Sequence, residues 1–413
     1  MLNHYDILII GAGPVGLCCA NAAAQAGFQV ALLESQPASA LEQAAEDGRE
    51  IALTHRSQRY LQHLGVWSHL PAEQIAPLRA AQVFNGQATH HLNFQAHTAG
   101  VDALGYLVAN YLLRRAAYIS AREQANIHWF TEVSVQDIAI QPNQVQLQLR
   151  DGVNLQGTLL IAADSRYSAT RRMLGMPADM LDFGKTMLVC RMTHEKAHQQ
   201  TAWEWFDHGQ TLALLPMNPM NDSQTNCHQS SVVVTVTAAQ AQQLMRMPIT
   251  QFNLDIAQRF SRRLGTMQLQ GERHAYPLVA TYAHRFVQAR VALIGDAAVG
   301  MHPVTAHGFN LGLRGVDSLL QQLTLAQQTH QDIGSLSILA SYQRQHRQDT
   351  KPLYLATNAI VRLYTDDRPV ADLMRKAALH LAEHFPPFKH SLLSMLTEAK
   401  TQQTSTTLPR KIH

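Results

Sequence analysis

The chain has 413 residues, too many for one ordinary domain, and 46% of them are hydrophobic, which excludes a disordered protein and allows two or three packed units. Charged residues make up 15%, against roughly 25% in an average soluble protein, so the polar surface must come largely from Gln, Asn, Ser, Thr and 22 His. A formal charge of +3 without a Lys/Arg block gives no ground for a nucleic-acid partner, and the absence of any 18-residue apolar run gives none for a membrane span.

In chain order, Tyr5 to Ile10 reads as a short apolar strand buried on both faces, with no signal peptide before it. Gly11-Ala12-Gly13-Pro14-Val15-Gly16 follows at once. An Ala-rich helix from Leu17 to Ala26 stops at Gly27, and a second strand, Phe28 to Leu33, ends in Glu34. Asp47-Gly48-Arg49 reads as a loop, followed by a helix through Tyr60 and Leu64. Val145 to Leu149 alternates strictly, Asp151-Gly152 turns, and Val153 to Leu159 returns. Leu159 to Ala163 reads as another buried strand, closed by Asp164.

From about 185 to 275 the pattern changes to short strands, with Met187 to Met192, Ala202 to Phe206, Thr211 to Leu215 and Ser231 to Val236 as candidates. This reads as a separate sheet inserted between parts of the first domain. Val291 to Ile294 returns to the buried type and ends in Gly295-Asp296, and a helix begins near Gly308 with Leu313, Val316, Leu320 and Leu323 on one face. The remainder reads as helical, with a polar, disordered tail.

Two constellations carry the chemistry. Gly11, Gly13 and Gly16 stand between a strand and a helix, and Glu34 lies eighteen residues after Gly16 at the end of the next strand. A diphosphate needs backbone close to it, the third glycine allows helix and strand to pack, and an acid in that place accepts hydrogen bonds from a ribose diol. Gly295-Asp296 with His302-Pro303 and Gly308 to Gly312 is the second. An acid ending a strand beside Gly suits a ribityl chain, and a helix start suits the negative charge that a reduced flavin carries, so the cofactor is read as FAD. His302, Pro303 and His307 are the candidate catalytic residues, the two histidines because imidazole titrates near neutrality, although ordinary core or loop histidines are the stronger explanation of both. Cys18, Cys19, Cys190 and Cys227 are not spaced as a zinc pair and read as buried thiols of a reducing cytoplasm, and His194-Glu195 with His198 reads as a solvated loop, so no metal is expected.

The fingerprint, Asp47-Gly48-Arg49, and Gly295 through Asn310 resemble the group A flavoprotein hydroxylases. Within them, Asp47 to Leu53, Leu104-Gly105-Tyr106 with Asn110, His302-Pro303-Val304 and Phe309 to Arg314 resemble the ubiquinone-biosynthesis hydroxylases, over nearly the whole stretch from Tyr5 to about Leu363. The resemblance implies an α/β fold: a Rossmann-like FAD-binding domain from 1–75, 98–182 and 276–335, and an inserted α+β substrate domain from 76–97 and 183–275. A C-terminal helical part over 336–397 and a tail over 398–413 complete it. It further implies that Arg49 and Asn110 contact FAD, that Asp296 meets its ribityl and phosphate region, and that Pro303 to Asn310, Gly308 included, lies against the isoalloxazine.

The implied reaction is an NAD(P)H- and O₂-dependent monooxygenation through a flavin C4a-hydroperoxide. Its substrate would be a polyprenylated phenol or quinol, of the demethoxyubiquinol type, attacked at C5, C6 or more than one position. Two departures stand out. Ser165 follows Ala163-Asp164 where the family has Gly, and Thr305-Ala306-His307 replaces Ala-Gly-Gln, which resembles the UbiM-type subgroup with altered choice of ring position. A reductase or epoxidase acting on isoprenoids, a FAD-binding scaffold of a quinone-synthesis complex, and a NAD-dependent dehydrogenase are the alternatives. The expected location is cytoplasmic, with a peripheral place at the inner face of the membrane left open.

Overall fold

A computed structural model describes residues 4–86, 91–207, 209–219, 228–302 and 308–365. Its organising feature is a parallel sheet in which Asn154–Ala162, His4–Ile10, Val30–Leu33 and Ile127–Phe130 run side by side, with Val291–Leu293 added beyond Asn154–Ala162. The strands are nearly continuous apolar runs because helices cover them: Ile7, Leu8, Ile9, Leu159, Leu160 and Ile161 are fully buried. Their register brings Ile10, Leu33, Ala162 and Leu293 level. The residues that follow each strand, Gly11, Glu34, Ala163 and the Gly295-Asp296 pair, therefore open at one end of the sheet, where ligands of open α/β sheets bind.

Helix Pro14–Gln25 packs against helices Asn110–Arg122 and Gly308–Gln328. The hairpin Val135–Ile140 and Val145–Leu149 extends Asn154–Ala162 on its N-terminal half. What reads from the sequence as two strands around Leu159 is one, Asn154–Ala162. Its first half is a half-exposed hairpin arm that alternates, and its second half runs into the buried sheet and is uniformly apolar.

The second sheet has eight strands. Ala178–His194, His228–Thr237, Gln210–Met217 and Thr201–Asp207 pair antiparallel in that order, with Met267–Ala283 on the far side of Ala178–His194. Ala80–Asn85 joins the edge in parallel with Thr201–Asp207, and Leu92–Gln95 pairs with it. Ala76–Leu78 does not belong there: it joins Gly105–Ala109 and Glu50–Leu53 in a small three-stranded sheet. One face of the large sheet is sealed by helices Ala238–Arg246 and Ile249–Arg259 over a core containing Leu212, Leu214, Val232, Val234, Phe252 and Phe260. The other face looks toward the ligand end of the parallel sheet.

The long helix Leu336–Thr365 packs on Gly308–Gln328, and the Tyr342 hydroxyl donates to the carbonyl of Leu293 at 2.7 Å. No helix of the described residues is long and apolar enough to cross a membrane. Cys18, Cys19 and Cys190 are buried and free, while Cys227, most of the 336–397 region beyond 365 and the polar tail lie outside the described residues. His194 and His198 are buried rather than solvated, each bonded to a backbone carbonyl, and among the described residues no metal-binding group forms.

Burial pushes the imidazoles of His194, His302 and His346 down to about 4. Each is lower when folded than its ordinary value of 6.5, so the unfolded chain binds protons that the folded one does not. The contribution of these three rings is complete above pH 6.5 and is lost as pH drops from about 6.5 toward 4, by up to about 1.4 kcal/mol per pH unit for each histidine. Urea unfolding of the wild type and of His346→Gln at a series of pH values measures this: the variant should lose less stability than the wild type between pH 6.5 and 4, and equal slopes would contradict the buried neutral ring.

Candidate active site

A cavity of about 700 Å³ lies between the ligand end of the parallel sheet and the open face of the large sheet. Its first wall is the glycine turn. Gly11 has φ +106°, and a side chain there would meet the Ala163 carbonyl oxygen at 2.6 Å; one on Gly16 would lie 2.0 Å from the Gly11 carbonyl oxygen. Gly13 differs: a Cβ there meets nothing within 4 Å, and the residue lines the cavity together with Pro14, Val15 and Gly16. No side chain caps the start of helix Pro14–Gln25, so its first N–H groups are presented to the cavity as anion donors. Glu34 closes this wall. One of its carboxylate oxygens accepts from Ala12 N at 2.8 Å, the other from Gln36 N at 3.0 Å, and this fixes the carboxylate where the ribose would lie.

The second wall is made by residues distant in sequence. Asp296 follows Gly295, whose φ is +55°, and its carboxylate pairs with Arg166 at 2.9 Å. Arg166 also donates to the carbonyl of Val279 on the long strand Met267–Ala283, which ties the two sheets together. Asp164 accepts from the Ser168 hydroxyl and from Thr170 N, and so steadies the start of the short helix Ala169–Met173, which Ser168 caps through Arg171 N. Ser165 has φ +79° and lines the cavity. That is a backbone shape glycine adopts freely and a serine adopts at a cost of about 1 kcal/mol, which accounts for the glycine that the family uses there.

Arg49 and Asn110 are brought together through Asp47. The Asn110 amide donates to the Asp47 carboxylate at 2.7 Å, and Arg49 Nη2 reaches the same oxygen at 2.6 Å while its guanidinium lies over the Tyr276 ring. Burial alone would raise Asp47, but the bonds and charge of Arg49 and the Asn110 amide outweigh it and hold the carboxyl below its ordinary range. Arg49 and Asn110 both line the cavity.

His302 lines the cavity with its ring edge-on to Phe183 at 4.7 Å, and burial first, then Arg166, keep it neutral. It can therefore offer a neutral imidazole, not a cation. Gly308, at the start of helix Gly308–Gln328, lines the cavity, with Phe309 beside it. Pro303 and His307 lie outside the described residues. Gly11 and Asn310 do not line it. Gly11 sits directly behind the turn, and the Asn310 side chain is spent on backbone, accepting from Thr54 N and donating to the Ala52 carbonyl.

The residues fit FAD: an open approach at Gly13, free helix N–H groups for a diphosphate, a carboxylate at a ribose position, and a second acid and helix start at the far end. The model of the FAD binding domain family matches residues 4–353. The ubiquinone hydroxylase UbiM of Neisseria meningitidis is 42% identical over 401 residues, covering 96% of this chain and 85% of that protein. This chain belongs to the ubiquinone-hydroxylase family of FAD-dependent monooxygenases. UbiL of Rhodospirillum rubrum, also named a ubiquinone hydroxylase, is 33% identical, covering 93% of this chain and 87% of its own. Among solved structures, Pseudomonas aeruginosa PqsL in complex with 2-aminobenzoylacetate superposes with a TM-score of 0.75 at 19% identity, covering 90% of this chain and all of that one, a likeness of fold.

Apart from Arg166, which continues the family's pattern after Asp164, several members of this monooxygenase site leave no mark in the local sequence. Arg166, Phe183, Glu204 and Tyr276 all line the cavity. Arg166 had a signal, since it sits just past the strand-ending acid; the other three lie on sheet strands whose facing cannot be read from alternation alone.

Gly13 and Gly16 separate cofactor binding from folding. Gly13→Ala should fold with wild-type circular dichroism yet retain FAD at least about tenfold less tightly, because the methyl enters the diphosphate approach. Gly16→Ala should lose both FAD and stable folding, because backbone blocks its methyl. The ratio of flavin to protein absorbance with a thermal melt checks both, and equal behaviour of the two variants would contradict the assignment.

Proposed function

We propose that this chain hydroxylates the aromatic ring of a polyprenylated ubiquinone precursor, using FAD, O₂ and NAD(P)H. The observation that carries this reading is one cavity with a dinucleotide-binding wall on one side and a mainly apolar sheet face on the other. Relatives named as ubiquinone hydroxylases, at 42% and 33% identity, supply the substrate class. When bound, FAD supplies the two-electron chemistry that activates O₂, so that one oxygen atom enters the ring and the other leaves as water.

The protein's own part is to bind, orient and keep dry. The start of helix Pro14–Gln25 and Glu34 take the adenosine-diphosphate half, while Asp296, held by Arg166, and Arg49, held by Asp47, take the middle. The start of helix Gly308–Gln328 offers backbone N–H dipoles to negative charge on the ring system. Met187, Val189, Ala213, Leu215 and Val233 present a dry face to the substrate ring, which protects a water-sensitive oxidant. The apolar lining continues to Val361 on helix Leu336–Thr365, a direction in which a prenyl chain could leave the ring pocket. Attack at C5 or C6, or at more than one position, a catalytic contribution of His302, Pro303 and His307, and a peripheral place at the inner face of the membrane belong to the same reading.

Expression in aerobic bacterial strains each lacking one ring-hydroxylation gene, followed by mass spectrometry of the extracted quinones, tests it. Ubiquinone should reappear, and the strain in which its precursor disappears names the carbon attacked. Unchanged precursors beside a well-expressed yellow protein would remove the quinone assignment and leave the FAD site standing.

A further inference from the structure

Alternation along the strands gives the large sheet two unlike faces. Leu188, Leu212, Leu214, Val232 and Val234 pack away from the cavity under the helices, whereas Val189, Ala213, Leu215 and Val233 line it. Glu204 stands in the middle of the lining face. Its cross-strand partner is Ala213 on one side and Val83 on the other, and Ala213 is paired in turn with Val233. Its chain neighbours Trp203 and Trp205 turn to the opposite face and join the core there.

The Glu204 carboxyl is enclosed by protein except where it meets the cavity, and burial alone pushes it up to about 8. Among the described residues no hydrogen bond or ion pair reaches it. Two other ionisable groups of the lining are partnered: Lys185 donates to the Gly209 carbonyl, and Glu50 is ion-paired with Arg191. An enclosed carboxyl without a partner is unfavourable in an apolar wall unless something that enters the cavity satisfies it. A group with a hydroxyl or carbonyl on a largely apolar body fits this place, because the immediate cross-strand neighbours of Glu204 are Ala213 and Val83 and most of the surrounding wall is apolar.

We propose that Glu204 hydrogen-bonds the ring hydroxyl of the phenol or quinol that occupies this cavity, and so sets which ring carbon is presented to the cofactor. The inference rests on the phenolic substrate class proposed above. A neutral carboxyl both donates and accepts, so it can grip a hydroxyl at two points without placing a charge in the apolar pocket. The chain then orients the ring from the sheet side, while the glycine turn and the Gly308 helix hold the cofactor from the other.

The test uses FAD-loaded protein and a matched pair of probes, 2-geranylphenol and its methyl ether, with binding followed through the visible spectrum of the flavin. Wild type should prefer the phenol over the ether by about tenfold, the worth of one desolvated hydrogen bond. In Glu204→Leu the two dissociation constants should converge, with FAD loading unchanged, and Glu204→Ala gives the same readout should leucine not load. Glu204→Gln, which keeps a donor and an acceptor, should restore most of the preference. A preference kept intact in the leucine or alanine variant would overturn the role of Glu204 alone. Failure of wild type to prefer the phenol would instead overturn the phenolic substrate class, and the role of Glu204 with it.

Discussion

A Cβ on Gly16 would lie 2.0 Å from the Gly11 carbonyl oxygen, and one on Gly312 would lie 2.6 Å from a methyl of Val15. Three segments, the first strand–helix turn, the Ala163 strand end and helix Gly308–Gln328, can therefore meet only where side chains are missing. Val15 is the pivot: it touches the place of a side chain on both Gly295 and Gly312, nearly 300 residues away. This close approach sets the depth of the cofactor groove and brings two helix starts to face the same space. Close packing of this kind tolerates little change in volume, so the glycines act on folding and on binding together.

On that frame the electrostatics join the two sheets. Arg166 holds Asp296 and the Val279 carbonyl, and Arg191 on Ala178–His194 pairs with Glu50 of the small sheet at 3.2 Å and with Glu46 at 2.8 Å. Burial drives Glu50 up to about 7 against the pull of Arg191, so this pair adds little net stability; what it contributes is alignment of the two layers across the cavity. Arg49 is aimed in the same way by Asp47, which Asn110 steadies from a third element. The cavity thus has a polar, hydrogen-bonded cofactor side and a mainly apolar sheet side that carries Glu204.

The turn and strand-end residues of the cavity were legible in the sequence and its sheet-side residues were not, for a physical reason. Gly11, Gly13, Gly16, Glu34 and Asp296 act through backbone geometry and strand ends, and both leave a mark in the local pattern. The turn residue Ser165 was legible as a departure, and its φ of +79° explains what glycine does in that place. By contrast, alternation in Trp203-Glu204-Trp205 shows that the glutamate faces away from the tryptophans, but not whether that side meets water or a cavity. The 17-residue strand Met267–Ala283 was also hidden, because it contains Pro277 and changes from half-exposed to buried along its length. Asn310 illustrates the reverse: its motif is clear, yet its amide serves the backbone of Ala52 and Thr54.

The central claim is that the chain places one oxygen atom from O₂ on the ring of a ubiquinone precursor. Growth under ¹⁸O₂ of a hydroxylase-deleted strain carrying this gene, followed by mass spectrometry of its ubiquinone, tests that claim directly. The ring oxygen introduced by the gene should carry the heavy isotope, adding one ¹⁸O atom to those that the strain's other hydroxylases install, and Gly13→Ala should lower the amount of ubiquinone formed rather than its label. A restored ubiquinone whose new oxygen derives from water, or a precursor that stays unmodified beside flavin-loaded protein, would contradict it.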